Sequence, residues 1–544
     1  MKKHYTHALK FSSLLFAMLI ASANAASNPQ PLSVLILTID NLRPDRMSVY
    51  GYEKDTTPYL KKIAEESVVF NRAFSTSAWT APGMVSIFTG YYPPVHAQHG
   101  RFSYYDDEIT SALKVLTTHG YETLGSSTKG PSHQGLGFEK SLGRWPKQLE
   151  TFIEERTDNS APFVAWAHIT DVHLPYNPSE KNARRFNANS RNNAAIEAVK
   201  KHRVILRHPE QVDIKFDHAG KVQFVQDDIE VVRALYDAEV ADVDERLERH
   251  LERMRETGLL DRTIVIISAD HGEELFDHGW LGHASTGYDA KLYDELIRIP
   301  LIIRIPNSTW RGHFDAMVQG VDFMPTIFDL LGIDTKEVDP GMQGRSFLPV
   351  IKGQTTSIRD YVFNQTTLKG WTTPRDEMRA RIVSVRSDDK KLIRIPSEEG
   401  PRTEAYDLAL DPGEKNDIYS KNDGQFKQLE EALDTWVIES RSKAASLVMS
   451  GAQRRLDSIA DELLNSSDLS QAVDSWTAIQ TMEDTWGLEP DQFYNTEPYA
   501  TEWQKIQRNA AGMIGTAMTC TSKGSETRSM QPSHPLMFEH WKCN

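Results

Sequence analysis

Three short runs of consecutive apolar residues constrain the fold of this chain more than any other feature. Ser33–Ile39, Phe163–Ile169 and Thr263–Ser268 are rich in aliphatic and aromatic residues. Such runs are typical of strands that are buried on both faces of a parallel sheet. Between the second and third runs, Asp227–Thr257 has helical periodicity and is followed by Gly258, a residue that favours helix C-termini. This alternation predicts an α/β sandwich with a mostly parallel central sheet.

Polar side chains follow two of the predicted strands. Asp40 and Asn41 come directly after the first run, and Asp270 and His271 follow the third. The carboxyl ends of parallel strands meet at one edge of a sheet, where active sites form. Carboxylates that converge there repel one another unless a cation balances them, so these residues indicate a divalent metal site. Taken singly, each acid is more often a helix cap or a solvated loop residue, and a capping role explains Asn41 equally well.

A third segment, Thr80–Gly90, resembles the signature Cys/Ser-x-Pro-x-Arg…Thr-Gly of the sulfatase family, which belongs to the alkaline-phosphatase superfamily. The resemblance extends from about Ser33 to about Trp436 and implies membership of the family. It implies a sulfatase/alkaline-phosphatase-like sandwich with a smaller C-terminal α+β subdomain. Further segments resemble family landmarks in the family's order: Tyr50–Tyr52, Thr57–Pro58, His283, Tyr293–Glu295, Ile299–Ile303, Val321–Thr326, Gly344–Ser346, Tyr406–Leu408 and Asp411–Glu414.

Three positions depart from the sulfatase pattern. Thr80 occupies the position of the Cys or Ser that sulfatases oxidise to formylglycine, and Met84 replaces the arginine that holds its aldehyde hydrate. Oxidation of a threonine would give a ketone, so we expect no formylglycine in this chain. Asp289 stands where the family has a sulfate-binding lysine, and Lys291 is out of register. These departures point away from sulfate hydrolysis by the usual route.

The resemblance to threonine-bearing relatives implies a different nucleophile. In nucleotide phosphodiesterases, lipoteichoic-acid synthases and phosphoethanolamine transferases, a threonine at the position of Thr80 acts on phosphorus. We therefore expect a metal-dependent hydrolase of anionic esters that uses Thr80 directly, with phosphate diesters or monoesters favoured over sulfate esters. The alternatives are a sulfuric ester hydrolase acting on a sulfated glycan or aryl sulfate, a phospho-group transferase, and a catalytically inactive relative that binds glycans.

The resemblance also implies the remaining site residues. Asp40, Asn41, Asp270 and His271 match metal-ligand positions of the family, and one divalent ion is expected. Manganese or zinc is favoured because imidazole suits them, with calcium as the alternative. The residues expected to bind substrate are His173, His283 and Lys129; a structural role is about as common for such histidines.

The N-terminus predicts export. Lys2 and Lys3 supply a positive start, an apolar run follows, and Ala23-Asn24-Ala25 resembles a cleavage site. The apolar run is shorter than the ~20 residues that span a bilayer, and a retained anchor is the alternative. We expect a periplasmic or secreted protein. The predicted parts are a signal peptide, a sulfatase-like catalytic domain, a C-terminal subdomain and a helical or irregular extension, at residues 1–25, 26–355, 356–440 and 441–544.

Charge and cysteine content restrict the partners and the redox state. The formal net charge of −15 argues against nucleic acid or an anionic membrane, which require a basic surface. The expected partner is a small-molecule or glycan substrate that carries an anionic ester. Cys520 and Cys543 are the only cysteines, and an exported chain usually pairs an even number of them, so we expect a disulfide. Free thiols are the alternative.

Overall fold

The fold was analysed in a computed structural model of the 544-residue chain. The signal peptide, Lys129, Asp289 and both cysteines lie outside the residues that it describes, so the predictions made for them stay predictions. The described residues are 31–99, 109, 112–126, 136–143, 146–156, 160–202, 205–206, 220–221, 224–283, 291–334, 341–368, 370, 380–397, 399–420 and 424–465.

An eight-stranded sheet forms the centre of the molecule, with the strand order β12-β2-β11-β8-β1-β5-β3-β4. All neighbouring pairs are parallel except those of β11, which runs antiparallel to β2 and β8. Its strands are β1 Ser33–Ile39, β2 Val68–Phe74, β3 Glu122–Ser126, β4 Lys140–Gly143, β5 Phe163–Ile169, β8 Thr263–Ser268, β11 Arg298–Arg304 and β12 Gly312–Gln319. Two-stranded pairs are formed by β6 Ile205–Leu206 with β7 Gly220–Lys221, and β9 Glu274–Leu275 with β10 Leu281–Gly282.

The three predicted strands occupy the middle of this sheet. β1 lies between β5 and β8, and every residue of the three strands is buried. Because side chains on both faces of these strands are buried, both faces need apolar residues. The register pairs Thr38 with His168 on one side and with Ser268 on the other. The strands therefore end at nearly the same level, which brings the residues that follow them together.

Helices pack on the sheet. The longest catalytic-domain helix, α8, begins at Gln226 and ends at Glu256, as its periodicity predicts, and Gly258 adopts a φ of 73° that favours glycine. The helices are α1 Pro58–Ala64, α2 Thr80–Thr89, α3 Pro93–His96, α4 Ala112–Thr118, α5 Lys147–Glu155, α6 Glu180–Arg185, α7 Ala194–Lys201, α8 Gln226–Glu256, α9 Asp294–Ile297, α10 Phe323–Leu331, α11 Leu348–Ile351 and α12 Lys427–Asn465. None of the helices within the described ranges is both long and apolar enough to cross a bilayer.

A second, antiparallel sheet follows in the C-terminal part of the chain, and α12 packs against it through an aromatic stack between Phe363 and Trp436, whose ring centroids lie 5.1 Å apart. The predicted α/β fold with a smaller C-terminal α+β unit is thus confirmed. The boundary predicted at 440/441 falls inside α12. The strands of this sheet are β13 Val362–Thr367, β14 Arg381–Arg386, β15 Lys390–Ile395 and β16 Arg402–Asp407.

Candidate active site and metal centre

The ends of β1 and β8 bring three potential metal ligands together. Asp40, Asp270 and His271 are all buried, and one ligand atom of each lies within 4.8 Å of the others. The convergence follows from the parallel register of β1 and β8. The structure therefore places the predicted acids in one cluster, as the strand pattern requires.

His271 presents an unprotonated nitrogen to this cluster. Its Nδ1 donates to the carbonyl oxygen of Gly272 at 2.7 Å, so in the neutral ring Nε2 carries the lone pair. Burial lowers the pKa of His271, which favours this neutral form. Nε2 lies 3.4 Å from Asp270 Oδ2 and 3.7 Å from Asp40 Oδ1. An imidazole in this state is suited to bind a metal ion.

Three buried oxygen atoms of these strand-end residues have no hydrogen-bond partner among the described residues: Asp40 Oδ1, Asn41 Oδ1 and Asp270 Oδ2. An unpaired buried polar atom costs about 1–3 kcal/mol, and more when it is charged. The second oxygen of Asp270 is satisfied, because Oδ1 accepts the backbone N–H of His271 at 3.0 Å and that of Asn41 at 3.3 Å. Three oxygens and one imidazole nitrogen therefore fit a divalent ion, including manganese or zinc.

The pKa values of Asp270 and Asp40 reflect burial and the charges beside each carboxyl. Burial and, after it, the repulsion of Asp40 raise the pKa of Asp270 to about 6. Burial alone would also raise the pKa of Asp40, but His173, His168 and His271 hold it well below its usual range. A bound cation would relieve the repulsion between the two carboxylates.

Asn41 reaches the cluster through an uncommon backbone conformation. Its φ of 66° lies in the left-handed region, which asparagine tolerates better than most residues other than glycine. Its Nδ2 donates to Glu273 Oε2 at 2.5 Å, and its side chain is fully buried. The buried side chain and the unpaired Oδ1 favour a ligand role over a surface cap.

Thr80 stands beside the cluster as the first residue of α2. Its Oγ1 lies 3.3 Å from His271 Nε2. A Cβ at Gly83 would lie 2.7 Å from the carbonyl oxygen of Asp270, so only glycine lets α2 approach the end of β8 this closely. Met84 is completely buried in the hydrophobic core, where a charged arginine would need a partner. The apolar Met84 suits this buried position. The loss of the arginine is compatible with Thr80, because a threonine forms no aldehyde hydrate for that arginine to hold.

Two of the predicted substrate residues, His173 and His283, lie near His271. The ring centroid of His283 is 4.5 Å from that of His271 and 5.1 Å from that of His173. Burial lowers the pKa of His173, whose Nδ1 donates to the carbonyl oxygen of Leu174 at 2.5 Å. Asp171, two residues before His173, forms an ion pair with Arg246.

Two buried residues at the site were not assigned roles from the sequence. His168 Nε2 lies 3.6 Å from Asp40 Oδ2, and its Nδ1 lies 2.9 Å from Thr38 Oγ1, which also accepts a hydrogen bond from Trp166 Nε1. Glu273 contacts Asn41 and His283, and burial raises its pKa to about 7. His168 lies within an apolar strand run, where nothing in the pattern distinguishes it from a core residue. Glu273 comes two residues after His271, and this proximity to a predicted ligand is a signal in the sequence that indicates a role at the site.

Family models and known proteins are similar to this chain. The sulfatase family model matches residues 33–148 and 147–333, and the model described as N-sulphoglucosamine sulphohydrolase, C-terminal, matches residues 278–443. An N-acetylglucosamine-6-O-sulfatase of Bacteroides thetaiotaomicron is 25% identical over 517 residues, covering 77% of this chain and 89% of the relative. An ulvan-active sulfatase of Formosa agariphila is 24% identical over 457 residues, covering 71% and 72%.

Solved structures share the fold. A phosphonate monoester hydrolase of Agrobacterium radiobacter superposes with a TM-score of 0.61 at 20% identity, covering 76% of this chain and 96% of that one. A protein solved in complex with its substrate D-glucosamine-2-N,6-O-disulfate gives a TM-score of 0.60 at 20% identity, covering 76% and 98%. At this identity the likeness shows the fold alone.

Proposed function

This chain belongs to the sulfatase family and is an ester hydrolase, and we propose that it removes sulfate from a sulfated sugar in a metal-dependent reaction with Thr80 as the nucleophile. The observation that carries the proposal is the cluster of Asp40, Asp270 and His271, whose carboxylates each keep an unpaired buried oxygen, with the Thr80 hydroxyl 3.3 Å from His271 Nε2. In this proposal the metal ligands are Asp40, Asn41, Asp270 and His271.

The choice of sulfate over phosphate rests on the relatives. The first two curated relatives are named for sulfate esters of sugars, N-acetylglucosamine 6-sulfate and ulvan. Both are covered over most of their length, so the likeness includes the catalytic domain. This reverses the preference for phosphate esters that the sequence alone suggested, which depended on Thr80 and on the departures at Met84 and Asp289.

The chemistry divides between the ion and the protein. A bound divalent ion would supply charge that balances the carboxylates and polarises the ester oxygens. Thr80 Oγ1 lies at the N-terminus of the ten-residue helix α2, where the helix dipole favours an anionic oxygen. We propose that Oγ1 bonds to sulfur as the bond from sulfur to the sugar oxygen breaks. The threonine loses its proton and the sugar oxygen gains one. Water then bonds to sulfur as the bond from sulfur to Oγ1 breaks, sulfate leaves, and Oγ1 takes up one of the protons of that water.

The neighbouring histidines would hold the substrate. The ring of His283 lies beside the rings of His271 and His173, and we propose that His173 and His283 bind the anionic oxygens of the ester. Lys129 is retained as a proposed third contact. Export to the periplasm or the medium, where sulfated glycans are accessible, is part of this proposal because residues 1–25 have the pattern of a signal peptide.

A second candidate is hydrolysis of phosphate or phosphonate esters. The unmodified hydroxyl of Thr80 favours it, because threonine cannot yield the aldehyde that sulfatases use. A threonine-linked phosphoryl group could also pass to an alcohol, which would make the protein a transferase. An inactive glycan-binding relative would have no need of the unpaired oxygens beside a hydroxyl.

One panel of substrates distinguishes these candidates. The chelator-treated protein would be assayed with N-acetylglucosamine 6-sulfate, an aryl sulfate, an aryl phosphate and an aryl phosphodiester, each with manganese, zinc or calcium. Faster sulfate release supports the first proposal, and faster phosphate release supports the second. The matched control for loss of the Thr80 hydroxyl is Thr89→Ala, which removes a threonine hydroxyl from the other end of α2. No turnover of any ester with any ion would favour the glycan-binding relative.

A further inference from the structure

We propose that Glu273 is a positioning residue that fixes the side-chain amide of Asn41, so that the oxygen of that amide faces the cation. Glu273 is itself fully buried and is not one of the proposed ligands. The inference rests on the proposed metal-dependent function and adds a residue that determines how tightly the ion is held.

The hydrogen bonds around Glu273 give the amide a fixed orientation. Oε2 accepts from Asn41 Nδ2 at 2.5 Å and from the Tyr176 hydroxyl at 3.2 Å, and Oε1 lies 3.0 Å from His283 Nδ1. In its ionised form, which a nearby bound cation would favour, Glu273 can only accept, so the NH2 group of Asn41 then points toward it. The opposite end of the amide, Oδ1, is then the buried atom without a partner.

The alternative orientation of the amide would be costly. If Asn41 rotated by half a turn, its oxygen would meet the Glu273 carboxylate and its NH2 group would face the ion. Both contacts would be repulsive in a buried site, where electrostatic interactions are strong. Glu273 thus converts an amide with two similar ends into a ligand with one defined end.

The backbone of Glu273 is anchored well enough to serve as a reference point. Its N–H donates to the carbonyl of Glu295 at 3.0 Å, and its own carbonyl accepts from Arg43 Nη1 at 2.9 Å. At the preceding residue, Gly272, a Cβ would lie 2.0 Å from the Glu295 carbonyl oxygen. The backbone of Glu273 is therefore held between two other segments, and any shift of this backbone would require these contacts to move.

The same carboxylate holds His283. Because Oε1 accepts from Nδ1, the ring is oriented by the residue that also orients Asn41. One side chain thus couples a proposed metal ligand to a proposed substrate contact. Its removal should therefore affect the affinity for the ion and, separately, the KM for substrate.

A swap of the two side chains tests the proposal. Glu273→Gln offers an amide to the amide of Asn41, so the orientation is no longer dictated. Asn41→Asp places two carboxylates in contact. The double variant Asn41→Asp with Glu273→Gln restores a donor and an acceptor, now with the Gln donating, and again leaves an oxygen for the ion.

The measurement is the dissociation constant of manganese for chelator-treated protein without substrate, obtained by competition with a chromophoric chelator. Loss of an outer-shell partner typically weakens metal binding about 10–100-fold, and we expect this for Glu273→Gln. The double variant should bind more tightly than either single variant, because the two changes are coupled. Unfolding midpoints would establish that each variant is folded.

One control removes the same kind of group without contacting Asn41. Glu274→Gln neutralises the adjacent buried carboxylate, whose Oε1 accepts the backbone N–H groups of His278 and Trp280 at 2.9 and 2.8 Å. This variant should keep the wild-type affinity for manganese.

The outcomes separate the two proposals. Wild-type protein that binds manganese while Glu273→Gln matches Glu274→Gln would overturn the positioning role alone. A double variant no tighter than the single variants would do the same. Wild-type protein that binds no divalent ion would overturn the metal-dependent function and this inference with it.

Discussion

Two buried groups of carboxylates in this molecule differ in the positively charged groups that lie beside them. Between the catalytic domain and the C-terminal sheet, Asp294 lies 3.0 Å from Lys391 Nζ and 3.2 Å from Arg386 Nε, and Glu414 lies 2.7 Å from the same lysine. At the ends of β1 and β8, Asp40 and Asp270 have only histidines within ion-pair distance among the described residues.

The pKa values do not separate the two groups, because each contains one carboxyl of lowered pKa and one of raised pKa. Lys391 and then Arg386 outweigh burial and hold the pKa of Asp294 below its usual range, whereas burial raises that of Glu414 to about 7. The pKa of Asp40 is likewise low, and burial with the charge of Asp40 raises that of Asp270 to about 6. The groups differ in the source of positive charge. The first is paired with a lysine and an arginine, and the second has only titratable histidines, which is the property that indicates an external cation.

The largest expected effect is on turnover. Thr80→Ala should lower kcat by roughly four powers of ten or more, because it removes the nucleophile. Manganese affinity should change far less, since three oxygens and one nitrogen remain. Steady-state kinetics and metal titration check this, and Thr80→Ser, which keeps the hydroxyl, should retain measurable activity. Most of the activity surviving in Thr80→Ala would exclude the proposed nucleophile.

Substitution of Lys391, which pairs with Asp294 and Glu414, should lower the stability of the fold rather than turnover. Lys391→Met leaves Asp294 and Glu414 with much less compensating charge and should destabilise the fold by about 3–5 kcal/mol. Denaturant unfolding measures the change, and Lys390→Met, at the adjacent, partly exposed lysine, serves as the control. Manganese affinity should stay at the wild-type value in both variants. A large loss of metal binding in Lys391→Met would show that the two groups are not independent.

A smaller effect is expected on metal preference. His271→Ala removes the nitrogen ligand and leaves only oxygens, which suit calcium and magnesium better than zinc. The ratio of zinc to calcium affinity should fall by at least about tenfold. Titrations with each ion measure the ratio. An unchanged ratio would mean that His271 does not bind the ion.

The sequence predicted those features that depend on local pattern. The strands β1, β5 and β8 were predictable because a doubly buried strand has an apolar composition that few other elements share. The convergence of Asp40 and Asp270 followed from the parallel arrangement. The hydrogen bond from Asn41 to Glu273 did not, because it joins residues that are far apart in the sequence and depends on a left-handed backbone at Asn41.

The preference for phosphate esters had the weakest basis. It was inferred from Thr80 and from the departures at Met84 and Asp289, and the relatives favour sulfate esters instead. One residue at the nucleophile position restricts the mechanism, but it carries little information about the group that the pocket accepts. The residues that would decide this, Lys129 and Asp289, lie outside the described residues.

Metal content tests the central claim most directly. Protein purified without chelator would be analysed for manganese, zinc and calcium beside the variant Asp40→Asn with Asp270→Asn, which removes both negative charges of the strand-end group. We predict one divalent ion per wild-type chain, lost in the variant, together with a rise in the wild-type unfolding midpoint when the ion is added back to stripped protein. The absence of a divalent ion from the wild type, or the same stoichiometry in the variant, would contradict the account.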